Sequence, residues 1–428
     1  MPKIYFETVG CSANFADSEQ MAGLLQQAKF DIVDKLEDAD VVILNTCTVK
    51  GPTVTAFHKR LKDIEGQYPY KIIIIAGCIA QTEPDKFKKY PLIGTKQIQN
   101  VVEVVEEAVN DNVVQLLETG EMPPLNLPRV RKNSMVSIVP ISRGCLGACS
   151  FCKTKAARGN LISYPIADIK KEVQTAVKEG VKEIWITSQD TGCYGFDIGT
   201  NLPLLLQELI QIPGKFKIRV GMMNPNHLLK IKDNLIKIFK SPKIFKFVHL
   251  PVQSGNNEVL INMKRKYSRE DFILLVKELR EAFPLITIMT DVIVGFPGET
   301  EEQYWDTLNV MRETFPDAVN ISRYWPRPDT PAAELKQIPG HIVKHRSRVL
   351  TDICHNIFKM QNERWLDWRG PIIIDEKTNH PEFPNQWVGR NESYKPILID
   401  GNFKMGQIVK VTIEKANTFD LEGYAYIK

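Results

Sequence analysis

From residue 3 onward short apolar runs alternate with helical stretches, and no other feature restricts the possible folds as much. Residues 3–8, 40–44 and 71–76 read as strands, and 17–29, 53–65 and 98–109 as helices. Strands that alternate with helices pair in parallel, because each crossover carries the chain back to the same end of the sheet. An open parallel sheet with helices on both faces is therefore expected over 1–120. A second alternation occupies 134–365, with strands at 136–141, 183–187, 217–220, 245–250, 287–293 and 318–322. The intervening helices include 166–178, 202–211, 268–283 and 301–315, and six βα units predict a full or partial TIM-type barrel with its mouth at the carboxyl ends of the strands. A long polar helix over 342–368 leads to short strands and turns over 368–428, which read as a small all-β barrel. Three prolines, Pro123, Pro124 and Pro128, mark 118–134 as a linker.

The cysteines fall on this framework in a pattern. Cys145, Cys149 and Cys152 stand at x3 and x2 spacing in a loop just after the strand at 136–141. The same spacing would fit one face of a helix, but Gly144 and Gly147 would each cost a helix interior about 1 kcal/mol. A structural zinc site wants a fourth Cys or His at similar spacing, and the next histidine is His227. A four-iron cluster normally takes four thiolates, so a lone triplet leaves one iron open. This spacing resembles the radical S-adenosylmethionine (SAM) superfamily. The resemblance implies that SAM chelates the open iron and is split, on reduction, to a 5′-deoxyadenosyl radical. Cys11, Cys47 and Cys78 each lie just past a strand of the first alternation. Ligands gather at that edge of an open α/β sheet, so three distant cysteines can converge there on a second cluster, also with an open iron. Cys193 and Cys354 stand alone and are expected to bind no metal.

With 43% hydrophobic and 25% charged residues the composition is that of an ordinary globular protein. Eight cysteines beside an N-terminus without a signal sequence favour metal chemistry over disulfides and a cytoplasmic location. No apolar run of about 18 residues is present to span a bilayer. The net charge of +4 decides nothing, but from 122 to 167 there are seven Lys or Arg and no Asp or Glu. Arg129, Arg131, Lys132, Arg143, Lys153, Lys155 and Arg158 bracket the cluster loop, and an anionic substrate such as RNA is expected at that mouth. Lys153, Lys155 and Arg158 are the expected phosphate contacts. The last segment balances nine basic against nine acidic residues from Arg364 on, so its charge does not argue for RNA. At the mouth, Gln189, Asp190, Asn224, His249, Gln253 and 295–299 follow the strands, and Asn224, Gln253 and Gly295 are the expected cofactor-binding residues. His249 reads more simply as a satisfied histidine.

Longer local stretches carry a closer resemblance. "GCSANFADSEQMAG", "CTVKGPT", "CKTKAARGNLISYP", "SQDTGCYGFDIGTNLP" and "YWPRPDTPAAE" are similar to the archaeal and eukaryotic threonylcarbamoyladenosine tRNA methylthiotransferases, and the tail resembles a TRAM domain. Cys193 and Asp329 depart from that pattern, Asp329 where glycine is usual; neither departure touches the six cysteines. The resemblance implies two [4Fe-4S] clusters, held by Cys11, Cys47, Cys78 and by Cys145, Cys149, Cys152. It implies that one SAM methylates a sulfur at the first site and a second SAM supplies the radical at the other. The product would be a methylthio group on carbon 2 of the modified adenosine beside a tRNA anticodon. The partners would be tRNA, an electron donor and a sulfur source, with no membrane anchor. Related enzymes act on isopentenyl-adenosine or on a ribosomal protein, and a non-catalytic iron–sulfur RNA-binding protein would share the domains. The local matches, the acid-free stretch and the intact radical triplet favour the first reading.

Overall fold

The computed structural model describes residues 1–48, 51–117, 121–378 and 382–426. The start of the expected linker, 118–120, and the end of the last expected strand, residue 427, lie outside them. Strands β1 (Lys3–Val9), β2 (Asp31–Val33), β3 (Val41–Thr46), β4 (Ile72–Gly77), β5 (Leu92–Ile93) and β6 (Gln115–Leu116) form one parallel sheet in the order β2-β1-β3-β4-β5-β6. Side chains alternate across a strand, and here both faces are apolar. Val41, Ile43, Ile74 and Ala76 bury against one set of helices, α1 (Ser12–Gln27) and α4 (Val101–Val109), through Met21, Leu25, Val101 and Val105. Val42, Leu44, Ile73 and Ile75 bury on the other face with Phe57, Leu61 and Ile64 of α2 (Gly51–Gln67). A short helix, α3 (Cys78–Thr82), starts directly from β4.

The second unit has six parallel strands in two hydrogen-bonded sets. One set is β7 (Val136–Pro140), β10 (Glu183–Thr187) and β11 (Lys217–Val220); the other is β12 (Phe247–His249), β13 (Thr287–Val294) and β14 (Ala318–Arg323). A bridge between Ile218 and Ile244 joins them, so the partial form of the expected barrel is the one adopted. A small hairpin-like pair, β8 (Ser142–Arg143) with β9 (Ile162–Ser163), flanks the cysteine loop, which runs into α5 (Thr154–Arg158). Helices α6 (Ile166–Lys178), α7 (Leu202–Ile210), α8 (Pro225–Phe239), α9 (Asn257–Asn262), α10 (Arg269–Ala282) and α11 (Glu301–Thr314) follow the strands. Ser268 and Thr300 form capping boxes at the starts of α10 and α11, closing two orphaned backbone donors at each. Phe15 and Ala16 of α1 pack on Val136 and Ile138 of β7, so the first unit rests against one edge of the barrel.

Helix α12 (Gly340–Glu363) leads to β15 (Arg369–Lys377), β16 (Gln386–Arg390), β17 (Pro396–Asp400), β18 (Ile408–Ala416) and β19 (Leu421–Ala425), a closed barrel in the order β15-β16-β17-β19-β18. It docks on the amino ends of the central strands. Tyr394 meets Trp185, Phe245 and Phe247 edge-on, the Arg219 guanidinium lies 5.0 Å from its ring, and Lys395 pairs with Asp317.

Two sequence expectations change. Helix α1 begins at Ser12, not residue 17, with Cys11 at the cap position and Ala13, Phe15 and Ala16 already packed in its first turns. The proline-rich stretch is a strap rather than a loose linker: Val130 donates to the Glu19 carbonyl, Leu125 is buried in the central core, and Arg129 pairs with Glu172.

Candidate active site

Strands β1, β3 and β4 are neighbours, in a register that aligns Val9 with Thr46 and Thr46 with Gly77. Paired strands lie about 4.8 Å apart, so Cys11, Cys47 and Cys78 leave the sheet side by side. A buried amide lattice fixes them. Asn14 Nδ2 donates to Asn45 Oδ1 at 3.0 Å, and Asn45 Nδ2 donates to the Asn14 carbonyl and to Ser18 Oγ, each at 2.9 Å. Gly77, at φ +86°, is required because a Cβ there would stand 2.2 Å from Asn45 Oδ1. Cys47 shares hydrogen bonds with Cys11 and Cys78. The Cys47 thiol is pushed up by its two neighbours and by burial, while Cys11 falls to about 5 and Cys78 to about 7. The Cys47 hydrogen bond is the largest cause of both falls, and the Arg158 charge adds to it against the cost of burial. Cys11 also receives the amides at the start of α1, the placement that favours thiolates. Cys47 and Cys78 are buried and Cys11 is exposed, so the triplet opens on the Cys11 side.

The second triplet sits at the carboxyl end of β7. Gly144, at φ +77°, lets the loop run against the Asn160 carbonyl, which a Cβ would approach to 1.9 Å. Cys145 N donates to the Gly159 carbonyl, Ser150 binds the carbonyls of Asn262 and Met263, and Ala332 N donates to Ser150, so the loop is stitched to its neighbours on three sides. The sulfurs of Cys145 and Cys149 both face the Gly147 α-carbon, where a Cβ would lie 3.2 and 3.7 Å from them. All three cysteines are partly exposed. Arg265 Nη1 donates to Cys149 Sγ at 3.0 Å. Helix α5 links the two triplets: Thr154 N at its start donates to Cys152 Sγ at 3.3 Å, and α5 packs on α3, which begins at Cys78. Among the described residues the one grouping tight enough for a single ion is Asp190, Cys193 and His227. The triplets are wider, as ligands to separate irons of one cubane must be, and all-thiolate donor sets suit iron–sulfur clusters.

The tight grouping is itself already satisfied. Asp190 accepts from Gly192 N at 3.0 Å, Asn224 N at 3.1 Å, Asn224 Nδ2 at 2.6 Å and His227 Nδ1 at 2.6 Å, and Cys193 donates to the Asp190 carbonyl. Burial pushes the Cys193 thiol up, away from the thiolate a metal needs. Cys354 is buried in the central core among apolar side chains.

The expected cofactor residues lie where the strands end, in different situations. Asn224 is buried, with its amide on Asp190 and its oxygen on Arg265. Gln253 has φ +70° and is pinned between the Asp291 carbonyl and Ile293 N. Gly295, at φ +77°, has a packing reason: a Cβ would meet Val343 of α12 at 2.5 Å. His249 Nε2 lies 2.9 Å from Asp291 Oδ2.

The basic stretch is not an open cationic rim. Arg129 and Arg131 pair with Glu172 and Glu179, Arg143 and Arg158 with Asp17, and Lys153 with Asp329. Arg158 and Lys153 are buried, at 3% and 5% exposure, each with a carboxylate partner. Lys155 is exposed, and it and Lys132 are, among the described residues of the stretch, the two without a carboxylate partner. The sequence gives no local signal that separates Arg265 from Lys264 and Lys266, nor one for the Asn14, Ser18 and Asn45 lattice or the Asp17 pocket.

Comparison with known proteins agrees with this arrangement. The chain matches, in tandem, Uncharacterized protein family UPF0004 over 3–94, the Radical SAM superfamily over 139–311 and the TRAM domain over 371–425. The radical S-adenosylmethionine methyltransferase TsrM from Kitasatospora setae shares the fold over 78% of this chain and 75% of its own, with a TM-score of 0.56 at 15% identity. A probable threonylcarbamoyladenosine tRNA methylthiotransferase of Pyrococcus abyssi is 40% identical over 96% of this chain and 98% of its own. The threonylcarbamoyladenosine tRNA methylthiotransferases of Mus musculus and Homo sapiens are each 40% identical over 98% of this chain, and over 74% and 73% of their own. A described helix long and apolar enough to cross a membrane is absent. Two cysteine triplets on neighbouring sheet edges, three tandem domains and full-length relatives converge: the chain belongs to the threonylcarbamoyladenosine tRNA methylthiotransferase family of radical SAM enzymes.

Proposed function

We propose that this chain inserts a methylthio group at carbon 2 of N6-threonylcarbamoyladenosine next to a tRNA anticodon, using two [4Fe-4S] clusters in the cytoplasm. The observation that carries the reading is the pair of three-thiol sites, at the ends of neighbouring strands and in the loop after β7, joined by the short helix α5 packed on α3. Carbon 2 of adenine is neither acidic nor electrophilic, so proton transfer by side chains cannot activate it at neutral pH. A cluster at Cys145, Cys149 and Cys152 with bound SAM would supply one-electron chemistry there. Cys11, Cys47 and Cys78 would hold the second cluster, with the exposed Cys11 side turned to incoming sulfur. Asn224, Gln253 and Gly295 shape the mouth in which SAM would lie, Asn224 chiefly through its grip on Asp190 and Arg265. Lys155 is the side chain of the basic stretch best placed for a phosphate. The three units, 1–120, 134–365 and 368–428, would divide into sulfur site, radical site and RNA-binding barrel. The electron donor and sulfur source are separate partners.

Mass spectrometry of tRNA nucleosides from cells with and without the gene tests the reaction. The methylthio derivative should vanish while its N6-threonylcarbamoyl precursor accumulates; an unchanged nucleoside profile would refute the assignment. Cluster number is tested on the Cys145/Cys149/Cys152→Ala variant, reconstituted anaerobically. It should keep about half the parent's iron, one of two equal clusters, and complete loss in a folded protein would mean a single shared cluster.

A further inference from the structure

Asp17 of α1, 1% exposed, lies between two guanidiniums. Arg143 Nη2 is 2.8 Å from Oδ1 and Arg158 Nη2 is 3.0 Å from Oδ2, and both arginines are 3% exposed. Two buried cations therefore share one buried anion. Arg143 spends its remaining donors on neutral oxygens, Tyr164 Oη and the Thr95 carbonyl. The excess charge thus falls to Arg158, and an unbalanced buried charge is costly unless something anionic meets it. What meets it is sulfur. Helix α5, which ends at Arg158, packs on α3, which begins at Cys78, and the Arg158 charge reaches both Cys78 and Cys11. Arg158 is also the last residue of α5, whose first residue, Thr154, donates its backbone N–H to Cys152 Sγ at 3.3 Å. Five helical residues, about 7.5 Å at 1.5 Å each, thus run from the radical triplet to the N-terminal triplet.

We propose that Arg158 is a positioning residue for the N-terminal cysteine site: anchored by Asp17 beside Cys78, it supplies the counter-charge for an anionic iron–sulfur cluster, while α5 holds the two cysteine sites at a fixed separation. The inference rests on the reading above that Cys11, Cys47 and Cys78 hold a cluster. Hydrogen bonds and positive charge at cluster sulfur stabilise the reduced, more negative state, so Arg158 raises that cluster's potential.

The test uses the full chain with Cys145, Cys149 and Cys152 replaced by Ala, so that iron reports the N-terminal site alone. Redox titration with dithionite, followed by electron paramagnetic resonance, compares this protein with versions that also carry Arg158→Gln or Arg158→Lys. Arg158→Gln should retain iron but lose at least tenfold in the reduction equilibrium, a fall of about 59 mV for a one-electron couple, and Arg158→Lys should recover part of it. An unchanged midpoint with iron retained overturns the inference. Should Arg158→Gln fail to fold, Arg158→Lys decides: a folded, iron-bearing protein with a near-parental midpoint supports the charge role, and loss of fold or iron shows a packing role only. Absence of iron in the triple-cysteine parent instead overturns the two-cluster reading, and this inference with it.

Discussion

Lys153, Lys155 and Arg158 are close in sequence, yet their side chains have three different fates. Lys153 is held by Asp329, Arg158 lies in the Asp17 pocket, and Lys155 alone is exposed. Phosphate contacts position RNA without reading its bases. Lys155→Ala should therefore weaken binding of all substrate tRNAs alike and flatten the slope of log affinity against log salt by about 0.7. Affinity measured across a salt series checks this, and an unchanged slope would move the phosphate contacts to the C-terminal barrel. Along the chain the basic run meets no acid, but in the fold it does. In space, Asp17, Glu172, Glu179 and Asp329 arrive from other elements to neutralise it. The cysteines were legible for the opposite reason, since strand ends in one parallel sheet share an edge whatever their distance in sequence. Asp329 explains its own departure from the family pattern: it has φ +63°, a conformation that glycine adopts freely and Asp tolerates better than most residues.

At the scale of elements, the central strands and most helices were readable from periodicity, and the short strands β2, β5 and β6 were not. Strands of two or three residues carry too little pattern to register. The start of β10 shows a buried cost that no periodicity reveals. Glu183 Oε2 accepts from Trp185 Nε1, but its other oxygen has no hydrogen-bond partner, and Asp375 of β15 adds a like charge. Burial first, and Asp375 second, push its carboxyl from 4.5 to about 7. The folded chain then holds a proton that the unfolded chain releases. This group's contribution to stability is fully present below about pH 4.5, declines as pH rises towards 7 and is lost above it. Glu183→Gln stays neutral throughout. It should match the parent near pH 4 and exceed it by on the order of 1–3 kcal/mol at pH 8. Denaturant unfolding at the two pH values measures the difference, and equal stabilities at pH 8 would show that Arg219 and Arg390 already balance the charge.

At the scale of the whole molecule, the two ends of the central barrel have different tasks. Its carboxyl ends carry the cysteine loop, Asp190, Asn224 and Gln253, and its amino ends are closed by the C-terminal barrel. That closure is broad. Asn133 Nδ2 donates to the Asp375 carbonyl, Lys246 N to the Glu392 carbonyl, and Lys395 Nζ to Asn362 Oδ1, while Tyr394 fills the gap beside Trp185, Phe245 and Phe247. A domain of this kind invites truncation to test whether it binds RNA, but here truncation would also unplug the barrel. A chain ending at residue 368 should expose those aromatic rings and leave Asp317 without Lys395, so that it melts below the parent and loses iron from a cysteine site at the far end of the strands. Tyr394→Ala removes the plug's ring and leaves the rest of the C-terminal barrel in place. It should cost about 3 kcal/mol, the range for deleting a large aromatic from a packed site. Thermal melts followed by circular dichroism, with iron content measured alongside, compare the three proteins. If the shortened chain melts with the parent and keeps all its iron, the C-terminal barrel is an appendage and its contacts with the central strands contribute little.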